Sequence, residues 1–210
     1  AGIDYAEVND WAAVNLHFRR GDERFDINHA WVCTQSRTLH RVRAPWRDWA
    51  EKGYITVVDD VSIHPDLLAA WLRCQSVHYH ILQLAIDNFR WTLVSSSLQK
   101  IGFDPTLYKN VKLIRPSDIM RIDPVIQECF DRNLFTWGDT PHLRWAVQNT
   151  KRVRSSRKIG VETGNFIYAK IEAKSRKTDP FMALVASMVI EPHLGGGSIP
   201  LAVPPPAVIL

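Results

Sequence analysis

Apolar runs of strand length open the chain, and short polar turns join them. These runs predict strands over residues 1–6, 11–18 and 25–33, with Arg20-Gly21-Asp22 as the turn between the last two. Three successive strands with short links are typical of an antiparallel meander, and the sequence predicts one here.

Helical and strand-like patterns alternate through the middle of the chain. Leu68, Leu72 and Tyr79 fall near one face of a predicted helix, and Gly102 is a plausible helix stop. The elements expected here are a helix over 45–52, a strand over 55–58, a helix over 65–80, a strand over 81–86 ending at Asp87, a helix over 89–101, a strand over 111–114, a helix over 116–134 interrupted at Pro124, and a short helix over 142–149.

The last part of the chain predicts a hairpin, a buried helix and a tail. The hairpin has arms near Val153 and residues 166–171, with Thr163-Gly164-Asn165 at its turn. The helix over 180–190 is apolar on nearly all sides, which is typical of a buried helix. We therefore expect one domain over residues 1–192, with a basic hairpin at about 150–172, and a Gly/Pro-rich flexible tail over 193–210.

A meander followed by alternating helices and strands predicts an α/β fold. Its mixed sheet combines a three-strand antiparallel meander with parallel strands and has helices on both faces, which is the ribonuclease H-like arrangement. In that arrangement the first strand lies beside the fourth, and the strand over 81–86 that ends at Asp87 would take the fourth place. Asp4 and Asp87, at the ends of two strands, are then expected to be neighbours, and a late helix can deliver Asp179.

Three aspartates far apart in sequence are the candidate chemistry. Carboxylates from two strand ends and one helix start can form an oxygen cage for two hard cations, Mg²⁺ or Mn²⁺. Each has a simpler alternative, because Asp4 can merely end a strand and both Asp87 and Asp179 can cap the helices that follow them. Asp59 and Asp60 also follow a short apolar run and are rivals of Asp87.

Charge and composition add a candidate binding segment. The chain has 210 residues, enough for one good-sized core, and a net charge of +4. Residues 151–177 include nine basic and two acidic residues, so this segment has a net charge of +7 and the rest of the chain a net charge of −3. Such a segment suits a polyanion, although a solvated surface hairpin is the alternative. Its basic residues are Lys151, Arg152, Arg154, Arg157, Lys158, Lys170, Lys174, Arg176 and Lys177.

Several segments together resemble one protein family. They are residues 2–6, 53–55, 63–65, 84–88, 142–149 and 177–185, and the most specific are Leu143-Arg144-Trp145 with Asn149, and Lys177-Thr178-Asp179 with Ala183-Leu184. In order and spacing they resemble the nuclease domain of the large terminase subunit of tailed double-stranded DNA bacteriophages. The resemblance covers roughly residues 1–190.

The resemblance implies a ribonuclease H-like, metal-dependent endonuclease that cuts concatemeric viral DNA around its packaging into a procapsid. Asp4, Asp87 and Asp179 match the three acidic positions of the family site, which would bind two divalent cations, Mg²⁺ or Mn²⁺. Asp4, from the central strand, would bridge both ions, while Asp87 and Asp179 would bind one each. The basic residues listed above would contact DNA, with Lys174, Arg176 and Lys177 nearest the scissile phosphate.

The resemblance also implies a partner domain and a location. Large terminases carry an N-terminal ATPase, but this chain has no Gly-x-x-x-x-Gly-Lys-Ser/Thr phosphate loop. We therefore expect an isolated nuclease domain that does not hydrolyse ATP. Its expected partners are double-stranded DNA, the ATPase domain, a small terminase subunit and a portal. It is expected in the host cell cytoplasm, neither secreted nor in a membrane, with its three cysteines as buried thiols.

Two alternatives stay open at this point. One is another ribonuclease H-like nuclease, such as a junction resolvase or transposase core, against which the Leu143-Arg144-Trp145 segment argues. The other is a non-catalytic module that docks on a procapsid or portal. Metal-dependent cleavage separates a nuclease from a docking module. For single residues, Trp145 is expected in the core, and the role of His142 is left undecided.

Overall fold

The computed structural model describes residues 1–7, 11–155 and 165–194. The strands are β1 (Gly2–Asp4), β2 (Ala12–Arg20), β3 (Glu23–Cys33), β4 (Ile55–Val58), β5 (Leu84–Asp87), β6 (Val111–Ile114), β7 (Phe135–Thr136), β8 (Thr150–Arg154) and β9 (Phe166–Lys170). The α-helices are α1 (Trp46–Glu51), α2 (Pro65–Gln75), α3 (Asn88–Gln99), α4 (Pro116–Asp131), α5 (Pro141–Gln148) and α6 (Asp179–Ile190).

One mixed sheet organises the chain. Its strand order is β4-β3-β2-β1-β5-β6, and the short β7 pairs with the start of β3. The first three strands form the predicted antiparallel meander, and Gly21 takes a positive φ of 61° at the turn between β2 and β3. β5 and β6 continue parallel to β1, and β4 adds parallel to β3 at the far edge. The predicted mixed, ribonuclease H-like sheet is thereby confirmed.

Helices cover both faces of this sheet, as predicted. On one face, α2 and α3 pack Leu68, Leu72 and Leu98 against Ile3 and Ile86. On the other face, α6 lies over β1 and β2, and α4 and α5 pack against its sides. Because it is enclosed by the sheet and two helices, α6 is buried along almost its whole length, as its all-round apolar sequence predicts.

Two helix predictions were wrong. The predicted helix over 65–80 ends at Gln75, because the chain turns there and the ring of Tyr79 packs on Phe18 with centroids 5.0 Å apart. The interruption expected at Pro124 does not occur, since α4 continues through it. Proline removes one helical hydrogen bond. Burial of the helix face that packs with α6, including Ile122, Ile126 and Cys129, offsets that loss.

The predicted hairpin is present as β8 and β9, which pair antiparallel from Thr150 opposite Lys170 to Arg154 opposite Phe166. The predicted Thr163-Gly164 turn and the tail from Gly195 lie outside the described residues. Cys33 and Cys129 are buried as expected, but Cys74 is exposed because it lies on the outer side of α2. Within the described ranges, no helix has the length and apolarity needed to cross a membrane.

Candidate active site

Asp4 and Asp87 end neighbouring parallel strands. Gly2 pairs with Ala85 and Ile3 with Ile86, so the two aspartates follow at the next position of each strand. Side chains alternate between the faces of a strand, so Asp4 shares the face of Gly2, and Asp87 shares that of Ala85. This is the face covered by α6. The sequence prediction that these two aspartates are neighbours agrees with this register.

Contacts along α6 fix the direction in which it crosses the sheet. Glu191, just past the C-terminus of α6, contacts His17, and Ser187 contacts Asn15. Asn15 lies opposite Gly2, and His17 lies beyond it, away from Asp4. α6 therefore runs antiparallel to β1, and its first residue, Asp179, lies at the end of the sheet that carries Asp4 and Asp87.

The close approach of α6 to β1 depends on Gly2. A Cβ at this position would lie 2.1 Å from the carbonyl oxygen of Ala183 and 2.3 Å from the amide nitrogen of Ser187. Those contacts are with backbone, which cannot move aside cheaply. Only glycine lets the helix lie this close to the strand, one to two helical turns from Asp179.

The structure also shows which local role each aspartate has. Asp87 caps α3, since its Oδ1 accepts a hydrogen bond of 2.8 Å from the amide of Phe89. This confirms the capping alternative, but the bond engages only one carboxylate oxygen. Asp179 is the first residue of α6 rather than its cap, which is Thr178, and it is 4% exposed. A carboxylate in the first helical turn is favoured by the helix dipole.

The rivals of Asp87 lie elsewhere. Asp59 and Asp60 follow β4, which is separated from β1 by β3 and β2. Asp59 instead accepts a hydrogen bond from the hydroxyl of Thr34. The parallel strand beside β1 is β5, which ends at Asp87, so the topology favours Asp87.

The three carboxylates do not form a ready metal cage. Within residues 1–7, 11–155 and 165–194, no three His, Cys, Asp or Glu side chains are grouped closely enough to hold a metal ion. The topology thus brings the three aspartates to one end and one side of the sheet, without gathering their side chains at a single point.

This architecture occurs in two solved structures. The HK97 bacteriophage large terminase has a TM-score of 0.74 and 18% sequence identity over 90% of this chain and 38% of its own length. The large terminase nuclease from thermophilic phage G20c has a TM-score of 0.56 and 10% identity over 89% of this chain and 78% of its own. The chain has the fold of a phage large-terminase nuclease. At these identities the likeness concerns the fold alone. No protein-family model and no curated protein matches the sequence.

On this terminase nuclease fold, the basic segment divides into surface and anchored residues. Lys151, Arg154 and Lys174 are exposed, whereas Lys177 is only 4% exposed. Arg176 and Lys170 are partly buried, and Arg157 and Lys158 lie outside the described residues. Lys177 is therefore not part of a solvated loop, and it lies two residues before Asp179.

Arg152 has a structural partner within the fold. Its guanidinium donates hydrogen bonds of 3.0 and 2.6 Å to the two carboxylate oxygens of Asp123, which is 1% exposed. The guanidinium also lies 4.2 Å from the centre of the Phe166 ring. Nearby, Tyr168 packs edge-on against Phe181 of α6. These contacts join the hairpin to α4 and to the first turn of α6.

A buried polar network under α6 was missed by sequence reasoning. Asp26 accepts hydrogen bonds from Asn15 and His17, and Glu191 contacts both His17 and Arg24. Burial alone would lower the pKa of His17, but its hydrogen bonds and attraction to Asp26 and Glu191 raise it above 6.5. Burial opposes ionisation of Glu191, yet His17 and Arg24 lower its pKa to about 2. The only sequence signal was the alternation of polar residues in β2 and β3.

His142 and Trp145, both in the family-like segment, are packing residues. Trp145 stacks on Trp11 with ring centroids 5.9 Å apart, which confirms the core prediction. His142 is 1% exposed, and neither ring nitrogen forms a hydrogen bond of normal geometry with a described residue. Burial, with the neighbouring His29, lowers the pKa of His142 to about 4, although the main chain of Asn28 opposes this shift. His142 is thus neutral at pH 7.

Proposed function

We propose that this chain is the metal-dependent endonuclease domain of a viral DNA-packaging terminase. In this proposal it hydrolyses phosphodiester bonds of concatemeric double-stranded DNA with two divalent cations, Mg²⁺ or Mn²⁺. The observation that carries it is the placement of Asp4, Asp87 and Asp179. The register of β1 with β5 and the direction of α6 bring them to one end of a terminase nuclease fold.

The donor set suits hard cations. Three carboxylates supply oxygen ligands, and Mg²⁺ keeps several waters, so three protein ligands with a substrate phosphate are sufficient. Asp4, on the strand between β2 and β5, would be shared by both ions, with Asp87 and Asp179 on one ion each. When bound, such ions would neutralise the phosphate charge and lower the pKa of an attacking water.

The residues around the carboxylates have distinct roles in this proposal. Asp87 retains Oδ2 for a ligand while Oδ1 caps α3. Asp179 is the first residue of a buried helix, so its position follows that of α6. The exposed Lys151, Arg154 and Lys174 would contact DNA phosphates, which gives affinity without base recognition. Lys177, which is buried and lies two residues before Asp179, would contact the scissile phosphate in this proposal.

The proposed context is a packaging machine. The chain spans 38% of the length of the HK97 large terminase, so a packaging ATPase domain would belong to the rest of such a protein. A small terminase subunit and a portal would be further partners, and the host cytoplasm the location. The chain itself is proposed to cut DNA without hydrolysing ATP, because its sequence holds no phosphate loop.

Plasmid cleavage tests the proposal. Supercoiled plasmid is incubated with the wild-type chain and Mg²⁺, Mn²⁺ or EDTA, beside the variants Asp4→Asn, Asp87→Asn and Asp179→Asn. We expect nicked and linear products with metal only, and a fall of at least ~100-fold in rate for each variant, equivalent to ~3 kcal/mol of transition-state stabilisation. Asp59→Asn is the matched control, because Asp59 follows β4 as Asp87 ends β5, and it should cut like wild type.

The alternatives give different results in the same assay. A folded wild-type chain that cuts no DNA with Mn²⁺ would reject the proposal and favour a docking module for a portal or procapsid. A strong preference for branched over linear duplex would favour a resolvase-like nuclease. Equal loss of activity in Asp59→Asn and Asp87→Asn would show that the wrong carboxylates had been assigned.

A further inference from the structure

Helix α6 is held mainly by contacts that have no direction. Almost every side chain of α6 is buried, and most are apolar. Apolar packing contributes most of its stabilising free energy, and interdigitated side chains together with the close fit at Gly2 limit how far the helix can slide. Yet a carboxylate that acts with two others on different strands needs a defined position. Directional polar contacts can define how far α6 reaches along β1 more narrowly than apolar burial alone.

Polar side chains of β2 and β3 contact α6 at three levels. Asn28 donates a hydrogen bond of 2.9 Å from Nδ2 to the carbonyl oxygen of Pro180 in the first turn. Asn15 donates one of 3.0 Å to the hydroxyl of Ser187, two turns further on. At the C-terminal end, Glu191 contacts His17 at 2.8 Å. These contacts are directional, so together they fix both the rotation and the axial position of the helix.

The orientation of each amide in this network follows from its neighbour. Asp26 can only accept, and the hydroxyl of Ser187 donates to the carbonyl of Leu184, so both face Nδ2 of Asn15. The Oδ1 of Asn15 therefore accepts from Asn28, at 3.0 Å. Asn28 must then present Nδ2 to both Asn15 and the carbonyl of Pro180. A chain of hydrogen bonds thus runs from Asp26 to the first turn of α6.

The hydrogen-bonding groups of Asn28 are only partly satisfied. Its Oδ1 is buried and has no hydrogen-bond partner among the described residues, which costs free energy. The carbonyl of Pro180 also has the amide of Leu184 as its helical partner. An apolar side chain would remove this unsatisfied acceptor, but it would leave the buried Oδ1 of Asn15 without its donor. It would also lack the directional bond to α6.

We propose that Asn28, oriented by Asn15 and Asp26, is a positioning residue that fixes the first turn of α6 and so the place of Asp179 relative to Asp4. This inference rests on the proposed function for its catalytic meaning. Asp179 is joined directly to Pro180, so a shift of the first turn moves this carboxylate by a similar distance. Misplacement of a reacting group by about 1 Å can cost on the order of 100-fold in rate.

Two variants and a control test the inference. Asn28→Leu keeps the branching at Cγ but removes the donor, and Asn28→Ala is the second variant if leucine prevents folding. Ser97→Ala is the matched control, because Ser97 is also buried and loses a hydrogen bond, to Asp66, on the face of the sheet opposite α6. Hydrogen exchange of the backbone amides is measured for all three and for wild type.

The expected result is local. Amides 182–184 should exchange at least ~10-fold faster in the Asn28 variants, with the amide of Val189 and the Ser97→Ala protein unchanged. In the plasmid assay, the Mn²⁺ concentration for half-maximal cleavage should rise at least ~5-fold in the Asn28 variants only. Unchanged exchange at 182–184 in the folded Asn28 variants would overturn the inference. Wild-type protein that never cuts DNA would reject the proposed function, and exchange would still decide whether Asn28 positions the helix.

Discussion

His17 lies between two carboxylates at the end of the sheet remote from Asp4. Its Nδ1 is 2.9 Å from Asp26 and its Nε2 is 2.8 Å from Glu191. Since these partners raise its folded-state pKa above 6.5, the charged form is favoured by folding. The stability that this adds is fully present below pH 6.5, and it is lost as pH rises through the folded-state pKa.

We therefore predict that the wild-type chain loses stability relative to His17→Gln as pH rises from 6 to 9. Glutamine does not titrate, so the difference between the two proteins isolates the histidine. Urea unfolding at several pH values gives the two free energies of unfolding. Curves that stay parallel over this range would mean that folding leaves the pKa of His17 unchanged, and a relative gain of stability by the wild type would mean that the folded protein holds His17 neutral.

Single residues also show where sequence reasoning stopped. Alternating polar residues in a strand normally predict a solvent face. Asn15 and His17 in β2, with Asp26 and Asn28 in β3, follow that pattern, yet all four are buried under α6. Their partner Glu191 lies 174 residues from His17 in sequence, so no local pattern could reveal the contact. Asp4, Asp87 and Asp179 were easier to find because each lies at an element boundary.

Among the elements, the β8–β9 hairpin depends on Arg152 in a way that the charge pattern concealed. The sequence grouped Arg152 with DNA-contacting residues, but its guanidinium pairs with the buried Asp123. Loss of the arginine would leave the buried carboxylate of Asp123 without its charged partner, which is costly. The side chain of Arg152 is 38% exposed, so this cost is reduced by solvent screening.

We predict that Arg152→Gln lowers the free energy of unfolding by roughly 2–3 kcal/mol, measured by urea denaturation. The matched control is Lys151→Gln/Arg154→Gln, which removes two exposed charges of the same hairpin. The control should keep wild-type stability but bind duplex DNA more weakly. The slope of the logarithm of its binding constant against the logarithm of salt concentration should be smaller in magnitude by about 2. A stable Arg152→Gln protein with weakened DNA binding would instead place Arg152 among the DNA contacts.

The elements themselves were largely predictable from sequence. Strand and helix positions followed from hydrophobic period and from Gly and Pro, including β6 and the buried α6. The exceptions have tertiary causes. The end of α2 depends on Tyr79 reaching Phe18, and the continuity of α4 through Pro124 depends on packing against α6. The importance of Gly2 could not be predicted from sequence. It appears only in the folded protein, where a Cβ at this position would lie 2.1 Å from the carbonyl oxygen of Ala183 in α6.

At the scale of the whole molecule, topology turns distant aspartates into neighbours. A central β1 with β2 on one side and β5 on the other places Asp4 beside Asp87, and the antiparallel course of α6 adds Asp179. The order of elements predicted this arrangement, and the register is consistent with it. The sequence also offered the capping role of Asp87, but it could not supply the spread of the three side chains. That spread depends on atomic positions after folding.

The most direct test of the account is anomalous diffraction from crystals of this chain soaked in Mn²⁺. The account predicts two Mn²⁺ ions roughly 3.5–4 Å apart, bound by Asp4, Asp87 and Asp179, with Asp4 contacting both and with the pair lost in Asp4→Asn. In that arrangement Oδ2 of Asp87 would bind an ion while Oδ1 still caps α3. Mn²⁺ bound only to other carboxylates, such as Asp59 and Asp60, or no ion at the β1–β5 end at millimolar metal, would contradict it.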